Sequence, residues 1–217
     1  MSEKNNTKLF YNSEIPSDWE VKELGELFDF KNGINASKES YGNGVKFINV
    51  MEIIYRNFIT ADKILGSVII SDKQSEDFLV KRGDLLFNRT SKTTEEIGLA
   101  AVYLDDEKVI LGGFVIRGVS KDNSLEEQFK KYYFHSTIVR NQIIKGGQGA
   151  VLSNIGQGDL EKVELPLPPL PEQTAIAQVL QAADTEIQLL KNKVEKLKEK
   201  KMGLMQIFLT GKKRLKI

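Results

Sequence analysis

The chain has 217 residues, 41% hydrophobic and 28% charged, with 31 Lys and Arg against 30 Asp and Glu for a net charge of +1. This suits one globular domain of about 170 residues plus an extended element. Cysteine is absent, which excludes disulfides and thiolate metal sites and fits a reducing, cytoplasmic setting. Met1–Asn12 is polar and reads as part of a flexible lead-in over 1–14. With no apolar run near ~18 residues, no signal peptide or membrane span is expected.

From Ile15 the chain runs Ile-Pro-Ser-Asp-Trp-Glu-Val-Lys-Glu-Leu-Gly. Its sole tryptophan, Trp19, is expected to anchor the core at the domain entrance. Lys31-Asn32-Gly33 and Lys38–Gly44 form a polar, Gly/Asn-rich loop. Val45–Val50 and Ser67–Ser71 read as strands, and the turn Val80–Asp84 launches another, Leu85-Leu86-Phe87. A polar loop follows, Asn88-Arg89-Thr90-Ser91-Lys92-Thr93-Thr94, with two cations and several hydroxyls. Gly98–Leu104 and Val109–Ile116 are two further predicted strands, and apolar spacing predicts a helix over Leu125–Ile144. Lys145–Gly149 is a polar loop, and Leu165–Pro171, with four prolines, is a stiff connector that closes a domain over 15–171. Strands first, then helix, predict an α+β domain with a mainly β body.

The remaining segment, 172–210, reads as one long coiled-coil helix. Leu180, Ile187, Val194, Lys201 and Phe208 form one series seven apart, and Ile176, Ala183, Leu190, Leu197 and Leu204 a second. Only Lys201 is not apolar. Such a sustained pattern argues for a coiled coil rather than an ordinary surface helix. At ~1.5 Å per residue the helix is about 58 Å long. Pro171 and Glu172 suit its first turn, and Gly211 its C-terminal cap, before a basic tail over 211–217. Gly203 is a flaw of about 1 kcal/mol relative to alanine. Charge is unevenly placed along it: Glu172–Leu190 carries three acidic residues and no basic one, whereas Lys191–Ile217 carries ten basic against two acidic. Two copies lying antiparallel set the acidic half of each against the basic half of the other. Each exposed pair contributes only ~0.3–0.5 kcal/mol, yet the consistent sign selects orientation.

The tools of catalysis are missing. There is no Gly-x-Gly-x-x-Gly, no nucleotide-binding Gly-Lys-Ser/Thr loop, and no Asn/Asp-Pro-Pro-Tyr stretch of an adenine methyltransferase. His135, the lone histidine on a predicted helix, reads as a packed or surface residue. Acid-x-Lys triplets occur at Glu20-Val21-Lys22, Asp106-Glu107-Lys108 and Glu199-Lys200-Lys201, as expected by chance in so charged a chain. Asp105-Asp106 and Glu126-Glu127 read as solvated faces. No catalytic residue, metal or cofactor is expected.

The run Leu165-Pro-Leu-Pro-Pro-Leu-Pro-Glu-Gln-Thr-Ala-Ile-Ala, continuing to Leu209-Thr-Gly-Lys-Lys-Arg214, resembles the helix of specificity (S) subunits of type I restriction-modification systems. Ile15–Gly25 looks like the entrance of their target recognition domains. Lys46-Phe-Ile-Asn-Val, Val80-Lys-Arg-Gly-Asp-Leu-Leu-Phe-Asn-Arg, and Gly147-Gln148 followed by Leu152-Ser-Asn-Ile look like internal motifs in the family's order. Usual members carry two recognition domains and two such helices packed antiparallel. This sequence shows one of each and is similar to a half-subunit.

The resemblance implies a non-catalytic DNA-recognition subunit that pairs with itself or with a second half-subunit and reads a bipartite double-stranded target. It also implies adenine methyltransferase (M) and translocase-nuclease (R) subunits as partners. A 58 Å helix would separate two readers by roughly 17 base pairs at ~3.4 Å each. Candidate DNA contacts are Arg89 and Lys92 with Asn88, Thr90 and Ser91, then Lys31, Asn32 and Lys38, then Lys145 and Gln148. Candidate dimerisation residues are Ile176, Leu180, Ile187, Leu190, Val194, Leu197, Leu204 and Phe208. Two rival readings remain open. One is a coiled-coil adaptor without a DNA role, favoured by the −4 carried by residues 1–171. The other is a DNA nuclease that uses the acid-x-Lys triplets.

Overall fold

The fold is that of a computed structural model, and it describes residues 6–147, 149 and 153–215. Contacts divide the chain into a unit up to Thr174 and a second from Ala175 onward.

The first unit is built on two sheets. Its strands in chain order are β1 (Thr7–Phe10), β2 (Ser13–Pro16), β3 (Glu20–Glu23), β4 (Phe28–Asn32), β5 (Tyr41–Ile48), β6 (Phe58–Ile59), β7 (Ser67–Val68), β8 (Leu79–Val80), β9 (Leu85–Asn88), β10 (Thr90–Ser91), β11 (Ala100–Tyr103), β12 (Val109–Leu111), β13 (Val115–Ser120), β14 (Ser153–Asn154) and β15 (Glu164–Leu167). Its helices are α1 (Leu24–Leu27), α2 (Val50–Ile54), α3 (Asp72–Asp77), α4 (Glu127–Tyr133), α5 (Thr137–Gly146) and α6 (Gln157–Glu161). One sheet has the order β4-β13-β9-β11-β6, the other β7-β5-β12-β8.

One core fills around Ile48, Ile53, Ile59, Leu86, Ala101, Tyr103, Val109, Leu111 and Val115, drawn from both sheets. Successive side chains of a strand point to opposite faces. Leu86 therefore serves this core while Phe87 meets Phe134 on the other side, ring centroids 5.7 Å apart. Phe134 also packs edge-on against Phe28 and Tyr133. Every residue of β9 and β11 is buried. Strands covered on both faces read as unbroken apolar runs rather than alternating ones, as Leu85-Leu86-Phe87 does.

The mainly β, α+β body is as expected, but several elements differ. From Thr7 the lead-in is a hairpin, with Phe10 and Ile15 buried and the Tyr11 hydroxyl donating to Glu164 at 2.6 Å. Trp19 is half-buried and outside the core; its indole N–H donates to Glu172 at 3.2 Å. Ser71 ends the β7 segment early because it caps α3, with Gln74 completing the box. The run Val109–Ile116 is two strands, not one. A turn at Gly112–Phe114 carries the chain from one sheet to the other, its Gly112 N–H bonded to Ile48 O at 2.9 Å. The single helix expected over Leu125–Ile144 breaks after Tyr133, where Ser136 stands as the N-cap of α5. Half of the proline-rich connector is a strand: β15 pairs with β3, Pro166 opposite Val21, and Leu165 and Leu167 are buried.

The second unit contains most of α7 (Leu170–Leu209), 40 residues and about 60 Å long. Gly211 ends it in the left-handed region at φ 71°, its N–H bonded to Phe208 O at 3.2 Å. No helix among the described residues is long and apolar enough to cross a membrane.

Candidate functional site

The five-stranded sheet ends in a row formed by Gly33, Val115 and Asn88. Gly33 N–H donates to Val115 O at 3.1 Å, and Val115 pairs with Asn88 in register. Beyond this row three loops leave from the same end of the sheet: Ile34–Ser37, Gly112–Phe114 and Arg89–Gly98.

Arg89 is the pivot of the third. Its N–H donates to Phe114 O at 2.8 Å, and its carbonyl accepts from Ile155 N–H at 3.0 Å. The main chain is thus held from both sides, while the partly exposed guanidinium has no hydrogen bond or ion pair among the described residues. Next to it β10 pairs with β14, and the Thr90 hydroxyl donates to Asn154 Oδ1 at 2.7 Å. Thr94 and Ser153 hydroxyls lie 3.3 Å apart. Ser91 is buried and turned inward, its hydroxyl donating to Glu96 at 3.0 Å and accepting from Thr93 N–H at 3.2 Å. Lys92 is exposed.

Arg140 of α5 braces this loop from behind. Its side chain is buried and donates to the carbonyls of Gly98 (2.7 Å), Ile97 (2.7 Å) and Glu95 (3.0 Å). Burial holds its pKa below the usual guanidinium value. Gly98 itself sits at φ 58°, where a Cβ would come within 2.4 Å of Ile143. Only glycine satisfies both conditions.

The remaining predicted contacts are placed as follows. Asn88 is fully buried, and its carboxamide makes no hydrogen bond to a described protein group. It lies under the surface and not on it. Asn32 ends β4 opposite Ile116, at the same end of the sheet as Arg89. Lys31 is committed to the C-terminus of α3, donating to Asp77 O at 2.6 Å with its ammonium 5.0 Å from the Phe78 ring centre. Lys38 is exposed on a short 3-10 turn, Lys38–Ser40. Lys145 lines a cavity of about 370 Å³ with Tyr11, Asn141, Asp159 and Lys162. Gln148 lies outside the described residues.

A buried ionic group supports the opposite flank. Asp84 accepts Lys81 N–H at 2.8 Å and closes the turn that launches β9. Burial raises its pKa against the opposing pull of that N–H, Arg117 and Lys130. Lys130, pushed down by burial, donates to Gly83 O at 2.8 Å and Ser120 at 3.2 Å. This is a brace for a turn. Among the described residues no group of three or more His, Asp or Glu is placed to hold a metal ion.

Residues 16–199 match the family described as type I restriction modification DNA specificity domain. The chain belongs to this family. It is 30% identical over 210 residues to a putative type I restriction enzyme MjaX specificity subunit of Methanocaldococcus jannaschii, covering 94% of this chain and 45% of that protein. To the MjaVIII specificity subunit of the same organism it is 28% identical over 212 residues, covering 94% and 48%. The chain therefore spans about half the length of these curated relatives. Among solved structures, the HsdS subunit of Thermoanaerobacter tengcongensis superposes with a TM-score of 0.59 at 21% identity, over 85% of this chain and 42% of that one. The S subunit of M. genitalium gives 0.56 at 20%, over 88% and 45%. A chain solved in a study of type I R-M complex assembly gives 0.65 at 20%, over 90% and 46%. These structural likenesses support the fold.

On this specificity domain, sequence reasoning missed Arg140, Asn154 and the Gly112–Phe114 turn. Arg140 lies within an apolar helical pattern, between Val139 and Ile143, both fully buried. An arginine on the buried face of a helix demands partners, and that was the available signal. Asn154 stands in the Leu152-Ser-Asn-Ile motif, but nothing local marked its contact with Thr90, 64 residues away.

Proposed function

We propose that this chain is a non-catalytic DNA-recognition subunit that pairs with a second copy through α7, antiparallel, and reads a bipartite target. Adenine methyltransferase and translocase-nuclease subunits are its partners in a type I complex. The observation that carries the pairing is the uncovered seam. Leu180, Ile187, Leu190, Val194, Leu197 and Leu204 are each 38–56% exposed, with Ile176 and Phe208 partly so. An apolar stripe of this length on a soluble helix marks an interaction surface. The split of charge at Leu190/Lys191 favours head-to-tail pairing of like chains.

DNA reading is supported by family membership and by the partnerless Arg89 guanidinium on a fixed main chain. Two identical readers about a two-fold axis meet a split palindrome. Light scattering of the full chain tests the pairing: twice the 24.5 kDa mass is expected, and Leu190→Asp with Leu197→Asp should return the monomer. A stable wild-type monomer, or a non-palindromic target for the paired chain, overturns it. Arg89→Ala should weaken cognate binding by ~1–3 kcal/mol if the guanidinium reads a guanine.

A further inference from the structure

The Gly112–Phe114 turn crosses between the sheets and ends in an aromatic side chain 58% exposed to solvent. Its main chain is tightly held. A Cβ on Gly33 would lie 2.1 Å from Gly112 O, and one on Gly112 would lie 2.6 Å from the Phe47 ring. Ile34 N–H donates to Leu111 O at 3.0 Å, and Val115 N–H to Gly112 O at 2.9 Å. On one side the Phe114 carbonyl accepts the Arg89 N–H. On the other, the Asn35 side chain lies directly on Gly113, where a Cβ would sit 1.8 Å from Asn35 Oδ1. Asn35 is exposed, and its carboxamide has no hydrogen-bond partner among the described residues.

Three adjoining positions therefore present a guanidinium, a phenyl ring and a carboxamide, all on backbone that is already ordered. Binding there orders side chains but not the main chain, which lowers its entropic cost. Their chemistries also complement base edges in the major groove. A carboxamide makes paired hydrogen bonds to adenine N6 and N7, an apolar ring meets the 5-methyl of thymine, and a guanidinium takes guanine. We propose that Asn35 and Phe114 read bases beside Arg89, Asn35 taking an adenine and Phe114 covering a thymine methyl. This rests on the DNA-recognition reading above. A protein partner on this face is the other outcome that the test below separates.

Selection from a random duplex DNA library with the full chain tests it. Phe114→Ala should lose preference for thymine at one position by about tenfold or more, and Asn35→Ala should do the same for an adenine. Asn35→Asp keeps the packing on Gly113 and should shift that adenine preference toward cytosine, whose N4 donates to a carboxylate. Thermal melts matching wild type show that the variants are folded. If they enrich the wild-type motif with every letter preference unchanged while Arg89→Ala weakens it, DNA reading stands and this assignment falls. It falls equally if Phe114→Ala leaves the letters intact but weakens capture of a methyltransferase subunit. If wild type enriches no motif at all, the parent reading fails and takes this one with it.

Discussion

Removing the Arg140 guanidinium tests how the Arg89–Gly98 loop is held. The side chain donates to three carbonyls, those of Glu95, Ile97 and Gly98, from within the body of the domain. Among the described residues no carboxylate pairs with it, so the loop carbonyls are what offset its burial. A hydrogen bond from a charged donor contributes ~1.5–3 kcal/mol net. Glu95 is exposed, so water can replace one bond in Arg140→Ala. The two buried carbonyls cannot be served that way, giving a loss of about 3 kcal/mol at the lower figure. For a domain of this size that corresponds to a fall in Tm of roughly 6–12 °C. Arg140→Lys, with a single ammonium, should recover part of the loss. Urea denaturation followed by circular dichroism measures the energy. Amide exchange should locate the effect: Ile97, Gly98 and Leu99, whose N–H groups close this loop onto Thr94, Asn88 and Glu96, should exchange faster. A loss below ~1 kcal/mol would refute the reasoning, as would uniform acceleration across the sheet.

Gly98→Ala should cost about 2–5 kcal/mol, from the left-handed backbone and the approach to Ile143, read as a lowered denaturation midpoint; an unchanged midpoint would mean that the loop relaxes freely. Gly203→Ala should raise the thermal stability of α7 by about 1 kcal/mol, because the position is off the heptad seam and a Cβ there meets nothing within 4 Å. A decrease would show that a partner helix crosses there. Asp84 holds its proton more tightly folded than unfolded, so its contribution to stability falls as pH rises from about 3.8 through its higher folded value. The stability of wild type minus that of Asp84→Asn should therefore decline over that mildly acidic window, and a difference independent of pH would contradict the burial argument.

The elements most readable in the sequence were those whose pattern is local. The heptads of α7 and the Gly211 cap need no knowledge of the rest of the chain. Leu85–Phe87 and Ala100–Tyr103 announced themselves because strands enclosed on both faces carry only apolar residues. What failed depended on distant partners. Val109–Ile116 looks like one strand because its apolar content continues through the crossing, and only the Gly112-Gly113 pair hinted at a change of sheet. Leu165–Leu167 looked like a linker because proline seldom belongs in a sheet, yet it lies in a two-stranded ribbon whose other member, Glu20–Lys22, is far earlier in the chain. The candidate contact loop was readable as composition, but not which of its side chains turn inward. Asn88 and Ser91 are buried beside exposed Lys92 for reasons set by β11 and Glu96.

Residue 89 separates two duties that a binding position often combines. The Gly112–Phe114 turn and Ile155 fix its place through peptide groups alone, which any amino acid except proline supplies. What its side chain offers is left open. On the proposed reading, an exchange of arginine for another residue here would leave the scaffold intact while changing the letter that is favoured. Drift in a few such positions would let one architecture acquire new addresses on the genome without refolding.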